Sequence, residues 1–309
     1  MPRINSDGST VNGGIPQGGN VTLHLEKLRR DLVRILPPNA SGACLLDWEF
    51  WRCEWNYTGV SYQNASILAA AKSLPPGSPP DLVLATAIQQ WHAGTRAFYE
   101  ASLDAVRAWY PACLVGMYAY PSNDWSYGGY VGPGAAARRA ENDALGWLWA
   151  ASSALFPSIY LTSPGASKYD GQTTEQYVGS TVGEALRLAR GVALPAQQRP
   201  LVVPLAWYVY DAFPRPADWQ VLTQGDTQVV VSLPMQLGAD ALVVWGAVGN
   251  PPFAPAPLAS YLNKSLGPAM NATYAAALGC ASTRCSGKGR CTPGGGCTCI
   301  PPATGPSCV

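Results

Sequence analysis

Cys44-Leu45-Leu46-Asp47-Trp48-Glu49-Phe50-Trp51-Arg52 decides how the rest of this chain is read. It predicts a buried strand that ends in two carboxylates. Side chains alternate along a strand, so Leu45, Asp47 and Glu49 share one face while Leu46, Trp48 and Phe50 share the other. That suits a barrel strand whose outer face packs on helices and whose last inward residues reach the open end, where active sites form. Two carboxyls roughly 7 Å apart repel when both are charged, so one keeps its proton to a higher pH than a free carboxyl. A general acid at near-neutral pH is made this way.

Outward from that stretch, strands and helices alternate. Before it, Leu23, Leu25, Leu28, Leu32 and Leu36 recur at helical spacing over 21–36, and Pro37-Pro38 ends the run. After it, a Pro/Gly-rich loop at 74–80 leads into a long helix over 81–109, then a strand from Leu114 to Tyr120. A helix over 136–155, a short strand from Ser158 to Leu161 and a helix over 173–190 follow. Next come a strand from Leu201 to Tyr210, a helix over 226–237, a strand from Ala241 to Trp245 and a last helix over 258–278. Short apolar strands alternating with helices predict an α/β fold with buried parallel strands, either a βα barrel or a doubly wound sheet. Asp47 and Glu49, Tyr118 and Tyr120, Tyr160, Tyr208 and Tyr210, and Trp245 recur at strand ends, which a barrel gathers at one mouth. Five strands do not close a barrel, so one or two more are expected ahead of the polar start Met1-Pro2-Arg3-Ile4.

Composition narrows the function classes. The 309 residues are 48% hydrophobic and 13% charged, enough for one large α/β domain and a small appendage. A net charge of +1 without a Lys/Arg run argues against nucleic acid, and no apolar run reaches membrane-spanning length. Eleven Trp and fifteen Tyr favour a protein that holds sugars on flat aromatic faces. Asn20, Asn39, Asn56, Asn64, Asn263 and Asn271 all lie in Asn-x-Ser/Thr sequons, where chance gives about one or two. Cys280, Cys285, Cys291, Cys297, Cys299 and Cys308 crowd a Gly/Pro-rich tail. Sequons and cysteines together place the protein in the secretory pathway, secreted or lysosomal, although the first residues lack the apolar core of a signal peptide.

The two carboxyls share one strand and approach a substrate from the same side, whereas an ordinary glycosidase flanks the bond from both. One resolution is a substrate that supplies its own nucleophile. A 2-acetamido sugar attacks its anomeric carbon, Glu49 acts as acid and then base, and Asp47 orients the acetamido N–H. That route belongs to the substrate-assisted exceptions, retains configuration and requires N-acetylhexosamine. Other chemistries have little to build on. His24 and His92 read as helix-surface residues, no phosphate loop follows a strand, and the tail cysteines read as disulfides rather than a zinc site. No cofactor and no metal are expected.

The residues also resemble a family, the animal hyaluronidases, which are endo-β-N-acetylhexosaminidases that cleave hyaluronan. The matching stretches are Asn12-Gly13-Gly14-Ile15-Pro16-Gln17, Leu46-Asp47-Trp48-Glu49-x-Trp51-Arg52 and Gly116-x-Tyr118-x-x-Pro121. They continue with Asn142-Asp143-x-Leu145-x-Trp147-Leu148-Trp149, Ala154-Leu155-Phe156-Pro157-Ser158-Ile159-Tyr160, Tyr210-Asp211 and Val243-Val244-Trp245-Gly246. The resemblance implies a distorted (β/α) TIM-like barrel over 1–278, N-terminally incomplete, with an EGF-like module over 279–309. It implies Glu49 as acid/base and Asp47 as its acetamido-orienting partner. Tyr118, Tyr160, Tyr210 and Trp245 become substrate contacts, the last three around the acetamido group. For the tail it implies the pairs Cys280–Cys291, Cys285–Cys297 and Cys299–Cys308. The implied partner is a glycosaminoglycan, hyaluronan or chondroitin, met by a monomer. The departures are also specific. Ser122-Asn123-Asp124 stands where the family has a cysteine, Cys53 replaces a usual proline, and Val248 stands where an aromatic is common. Cys44, Cys53 and Cys113 are an odd set without assigned partners, read as candidate free thiols. The expected function is endo-hydrolysis of β-1,4 N-acetylhexosaminidic bonds. The other class is a glycan-binding or adhesion protein that keeps the pocket with little or no catalysis.

Overall fold

The computed structural model describes residues 1–122, 130–132, 134–165, 172–195, 198–210, 220–246, 255–292, 295–299 and 303–309. They form two compact units, Met1–Tyr118 with Leu145–Ser153, and Ala119–Ala144 with Ala154–Val309.

The first unit opens with a hairpin of β1 (Arg3–Ile4) and β2 (Thr10–Val11). Helix α1 (Val21–Ile35) starts where Asn20 Oδ1 accepts the Leu23 N–H at 2.9 Å, satisfying one otherwise orphaned donor. Strand β3 is Gly42–Leu46, shorter than the sequence suggests, so Asp47 and Glu49 follow the strand rather than ending it. A helix that the sequence reading passed over, α2 (Val60–Ser73), precedes the 30-residue α3 (Pro80–Trp109), which has Pro80 and Asp81 in its first turn. Strand β4 (Cys113–Met117) runs parallel to β3, with Leu46 opposite Met117. The two strands are joined by a Cys44–Cys113 disulfide, which corrects the reading of both as free thiols. Cys53 is a buried thiol that donates to Glu54 Oε2 at 3.2 Å. The core of this unit is aromatic. Trp48, Trp51, Trp91 and Tyr99 are all buried, and neighbouring rings lie 5.1 to 5.9 Å apart, several of them edge to face.

The single helix expected over 136–155 is two, α4 (Ala135–Ala144) and α5 (Gly146–Ala151), and the latter belongs to the first unit. In the second unit, β5 (Ala154–Leu155) precedes α6 (Thr174–Gly191), which begins with a capping box between Thr173 and Gln176. Strands β6 (Leu201–Val202) and β7 (Leu205–Trp207) replace the one strand expected over 201–210, because Pro204 cannot donate to a ladder. Helix α7 (Gln224–Leu237) stops at Gly238, whose φ of 102° is left-handed. β8 (Val243–Trp245) follows. The parallel pairs are β5–β6 and β7–β8, with Ser158 bridging to Leu205. The expected strand at 158–161 therefore reduces to that bridge. The expected helix over 258–278 is α8 (Pro255–Tyr261), a π-helical turn at Leu262–Leu266 and α9 (Gly267–Arg284). α9 carries Cys280 and runs into the tail hairpin of β9 (Gly289–Cys291) and β10 (Cys297–Cys299). Disulfides join Cys280 to Cys291, Cys285 to Cys297 and Cys299 to Cys308.

Candidate active-site residues

In the first unit the two carboxylates are held by what lies between and beneath them. Leu46 and Trp48 are buried while Asp47 and Glu49 are exposed, so burial alternates past the end of β3 although the ladder has stopped. The alternation ends there, because Phe50 is exposed and Trp51 is buried. Trp48 meets Tyr99 edge to face at 5.1 Å and His24 at 5.2 Å, and Trp51 Nε1 donates to the Pro2 carbonyl at 2.8 Å. Two anchored indoles thus fix the backbone on either side of Glu49. Tyr118 follows β4 as Asp47 follows β3, and its N–H donates to the Leu46 carbonyl at 3.0 Å. It is half-buried.

His24 is not the surface residue expected. It is 5% exposed, with Nε2 2.9 Å from Ser102 Oγ, and burial lowers its pKa to about 4. His92 is exposed, as expected.

The sequence led to an expectation that one carboxyl of the pair holds its proton more tightly. That group is Asp47, whose pKa is raised, first by crowding of protein around the carboxyl and second by repulsion from Glu49. Arg52 opposes both. Asp47 reaches the surface, so solvent tempers the shift without reversing its direction.

In the second unit the aromatic residues named from sequence have defined partners. Trp245 ends β8 opposite Trp207, the end of β7, and their rings meet edge to face at 4.7 Å. Tyr160 is buried with its ring 5.5 Å from Trp207 and 6.4 Å from Trp245, which is 39% exposed. Trp207 was not singled out from sequence, although Leu-Ala-Trp closes its strand as Val-Val-Trp closes β8.

Tyr210 is buried and donates its hydroxyl hydrogen bond to the Asp226 carboxylate. The phenol oxygen in turn accepts the Thr223 N–H at 3.0 Å. Asp226 also accepts from Thr174 Oγ1 at 2.6 Å, Thr223 Oγ1 at 2.9 Å and the Gly165 N–H at 3.0 Å. Burial, and then the Asp226 bond, push the Tyr210 pKa up to about 12. For Asp226, burial is the largest single influence and works upward, but the four donors together hold its pKa below the usual range. Tyr210 is therefore a neutral phenol aimed by an ionised, buried carboxylate that the sequence reading missed.

Asp211, Asn123, Asp124 and Val248 lie outside the described residues. All six sequon asparagines are exposed. Among the described residues no group of His, Cys, Asp and Glu is arranged to hold a metal ion, and no helix is long and apolar enough to cross a membrane.

Comparison with known proteins places these features in a lineage. The family model for glycoside hydrolase 56, described as hyaluronidase, matches residues 1–294. The chain is 32% identical over 300 residues to hyaluronidase-1 of Homo sapiens, covering 94% of this chain and 66% of that protein. It is 34% identical over 301 residues to hyaluronidase-3 of Sus scrofa, covering 94% and 68%. The chain thus spans about two thirds of the length of these relatives. Among solved structures, it resembles bee venom hyaluronidase in complex with a hyaluronic acid tetramer, at a TM-score of 0.73 and 28% identity, covering 87% of this chain and 82% of that one. The chain belongs to the hyaluronidase family.

Proposed function

We propose that this chain is an endo-acting glycoside hydrolase that cleaves β-1,4 N-acetylhexosaminidic bonds of hyaluronan with retention of configuration. The observation that carries the reading is the Asp47/Glu49 pair, exposed after β3 on a backbone fixed by buried Trp48 and Trp51, in a member of this family. In the proposed reaction Glu49 gives its proton to the glycosidic oxygen as the C1–O bond breaks. The substrate's acetamido oxygen closes on C1, and positive charge spreads onto the acetamido nitrogen. Asp47 accepts the acetamido N–H. Its charge is disfavoured by the crowding of protein around it, and further by Glu49 once that group has given up its proton, so a cation forming beside it meets a carboxylate that gains from the encounter. Glu49 then takes a proton from water as that water opens the ring at C1.

Tyr118, Tyr160, Tyr210 and Trp245 are assigned to the substrate by their match to the family stretches. The three parallel strand pairs are read as arcs of a TIM-like barrel, and residues 279–309 as an EGF-like module. The exposed sequons support a glycoprotein of the secretory pathway.

The stereochemical course tests this reading. Proton NMR of the reducing ends released from hyaluronan is expected to show the β-anomer first, before mutarotation. The α-anomer first, or tight hyaluronan binding with no new reducing ends, contradicts it, and the second result would make the chain a glycan-binding protein.

A further inference from the structure

A cleft lies at the N-terminal end of the strands in the second unit, away from the aromatic cluster. It holds about 230 Å³ and is lined by Arg190 of α6, Arg199 and Leu201 at the start of β6, Asp240 ahead of β8, and Arg290 and Thr298 of the tail hairpin. Trp207 and Trp245 close the C-terminal ends of β7 and β8, whereas Leu201 and Asp240 lie at the N-terminal ends of this strand group. Asp240 lies three residues before β8 starts and Trp245 at its end, up to roughly 16 Å along an extended chain at ~3.3 Å per residue. The cleft is therefore separate from the aromatic cluster.

Its charge is unbalanced. Three arginines line it against one carboxylate. Asp240 is committed, because it pairs with Arg290 and its Oδ2 accepts the Val202 N–H at 2.7 Å. Arg199 donates Nε to the Leu194 carbonyl at 3.3 Å, which leaves its charge uncompensated. Among the described residues neither Arg190 nor Arg199 has an ion pair. Guanidinium groups on a concave wall suit a planar carboxylate or a sulfate, which they bind through paired N–H donors. Thr292 and Thr298 add hydroxyls to the lining. The volume falls below the ~300–1,000 Å³ of sites for drug-sized ligands, so it takes one ring or one charged substituent, not a length of polymer.

We infer that this cleft is a second, anion-binding subsite that takes one carboxylate- or sulfate-bearing sugar of an acidic polysaccharide through Arg190 and Arg199. The oxyanion part stands on the cleft alone, and the polysaccharide part rests on the proposed function. A polyanion held there would stay on the enzyme between cuts.

The test uses the full chain carrying Glu49→Gln, so that ligand is not consumed, and titrates it by calorimetry with a hyaluronan tetrasaccharide, a chondroitin sulfate tetrasaccharide and inorganic sulfate. Two equivalents of at least one tetrasaccharide are expected, the weaker one salt-sensitive. Adding Arg190→Gln/Arg199→Gln is expected to weaken that second equivalent tenfold or more, and either single substitution by less. In the Glu49 background the double variant should cleave short oligosaccharides as the parent does, but release long hyaluronan sooner. One equivalent throughout, a second equivalent indifferent to both arginines, or sulfate binding without any tetrasaccharide would overturn the inference. If the parent cleaves nothing but the arginine-dependent equivalent persists, the subsite stands and the proposed activity fails. If cleavage is intact and that equivalent is missing, the reverse holds.

Discussion

At the scale of single residues, the two groups with the most telling titration lie on either side of Trp48. Asp47 has a raised pKa, so the folded chain holds a proton that the unfolded chain has already released. Its contribution to stability therefore falls as pH rises above the ordinary aspartate range, and the ionised side chain is a net penalty at neutral pH. Asp47→Asn is expected to raise the melting temperature at pH 7 while removing most of the hydrolytic activity. A variant that is less stable at pH 7 but still active would contradict both halves. His24 titrates in the opposite sense. Its folded pKa of about 4 lies below the ordinary 6.5, so the unfolded chain takes the proton first. The stability it contributes is complete above pH 6.5 and is lost as pH falls toward 4. Urea unfolding of the parent and of His24→Gln across that range should show the parent losing more stability on acidification, and parallel curves would refute it. A raised carboxyl in the Asp47/Glu49 pair was legible in sequence, though not which of the two it is, whereas the buried His24 was not legible. His24 sits in an amphipathic helix with Leu23, Leu25 and Leu28 nearby, and spacing marks those as the buried face. In the folded chain Leu23 is 50% exposed and His24 faces Phe98 and Trp48, because Ser102 offers a hydrogen bond inside.

At the scale of elements, helices with a clean apolar period or a strong start signal could be read from the sequence, and those without could not. α3 and α6 were expected almost to the residue, as helices over 81–109 and 173–190, and the structure adds Pro80 and the Thr173–Gln176 box as their start signals. α2 escaped because its buried face is Tyr62, Ser66 and Ala70 while Val60 and Leu68 face out, so hydrophobicity does not mark the inside. Strand lengths were overestimated wherever an apolar run continued past its ladder, as after Leu46, or through a proline, as at Pro204. Asp226 stayed hidden because its partners Thr174, Tyr210 and Thr223 converge only in the fold. Close approach of elements is equally invisible in sequence, and Gly94 of α3 is the clearest case. Alanine usually stabilises a helix interior by about 1 kcal/mol over glycine. Here a Cβ at position 94 would lie 2.5 Å from the Gln17 amide nitrogen and 2.8 Å from Gln17 Cα, both backbone. Gly94→Ala is therefore expected to destabilise by about 1–3 kcal/mol as the Pro16–Gly18 turn is pushed off the helix. A denaturation midpoint equal to or above the parent's would show that the turn gives way freely.

At the scale of the whole molecule, family membership, two carboxylates after β3 and an aromatic cluster at the ends of β7 and β8 are what the proposed chemistry rests on, and that proposal makes Glu49 the proton donor. The order of family stretches along the chain was legible because motif residues such as those from Asn142 to Tyr160 are specific. Asn142 of that stretch is tied to the buried Glu184 at 2.9 Å, which Arg187 pairs with at 2.8 Å, and this gives the asparagine a structural reason. The most direct measurement is hyaluronan cleavage by Glu49→Gln beside its hyaluronan affinity. The amide keeps the side chain's size but has no acidic proton to give. Turnover is expected to fall by ~10²–10⁴-fold with affinity and melting temperature little changed. Turnover within about twofold of the parent would contradict Glu49 as the acid.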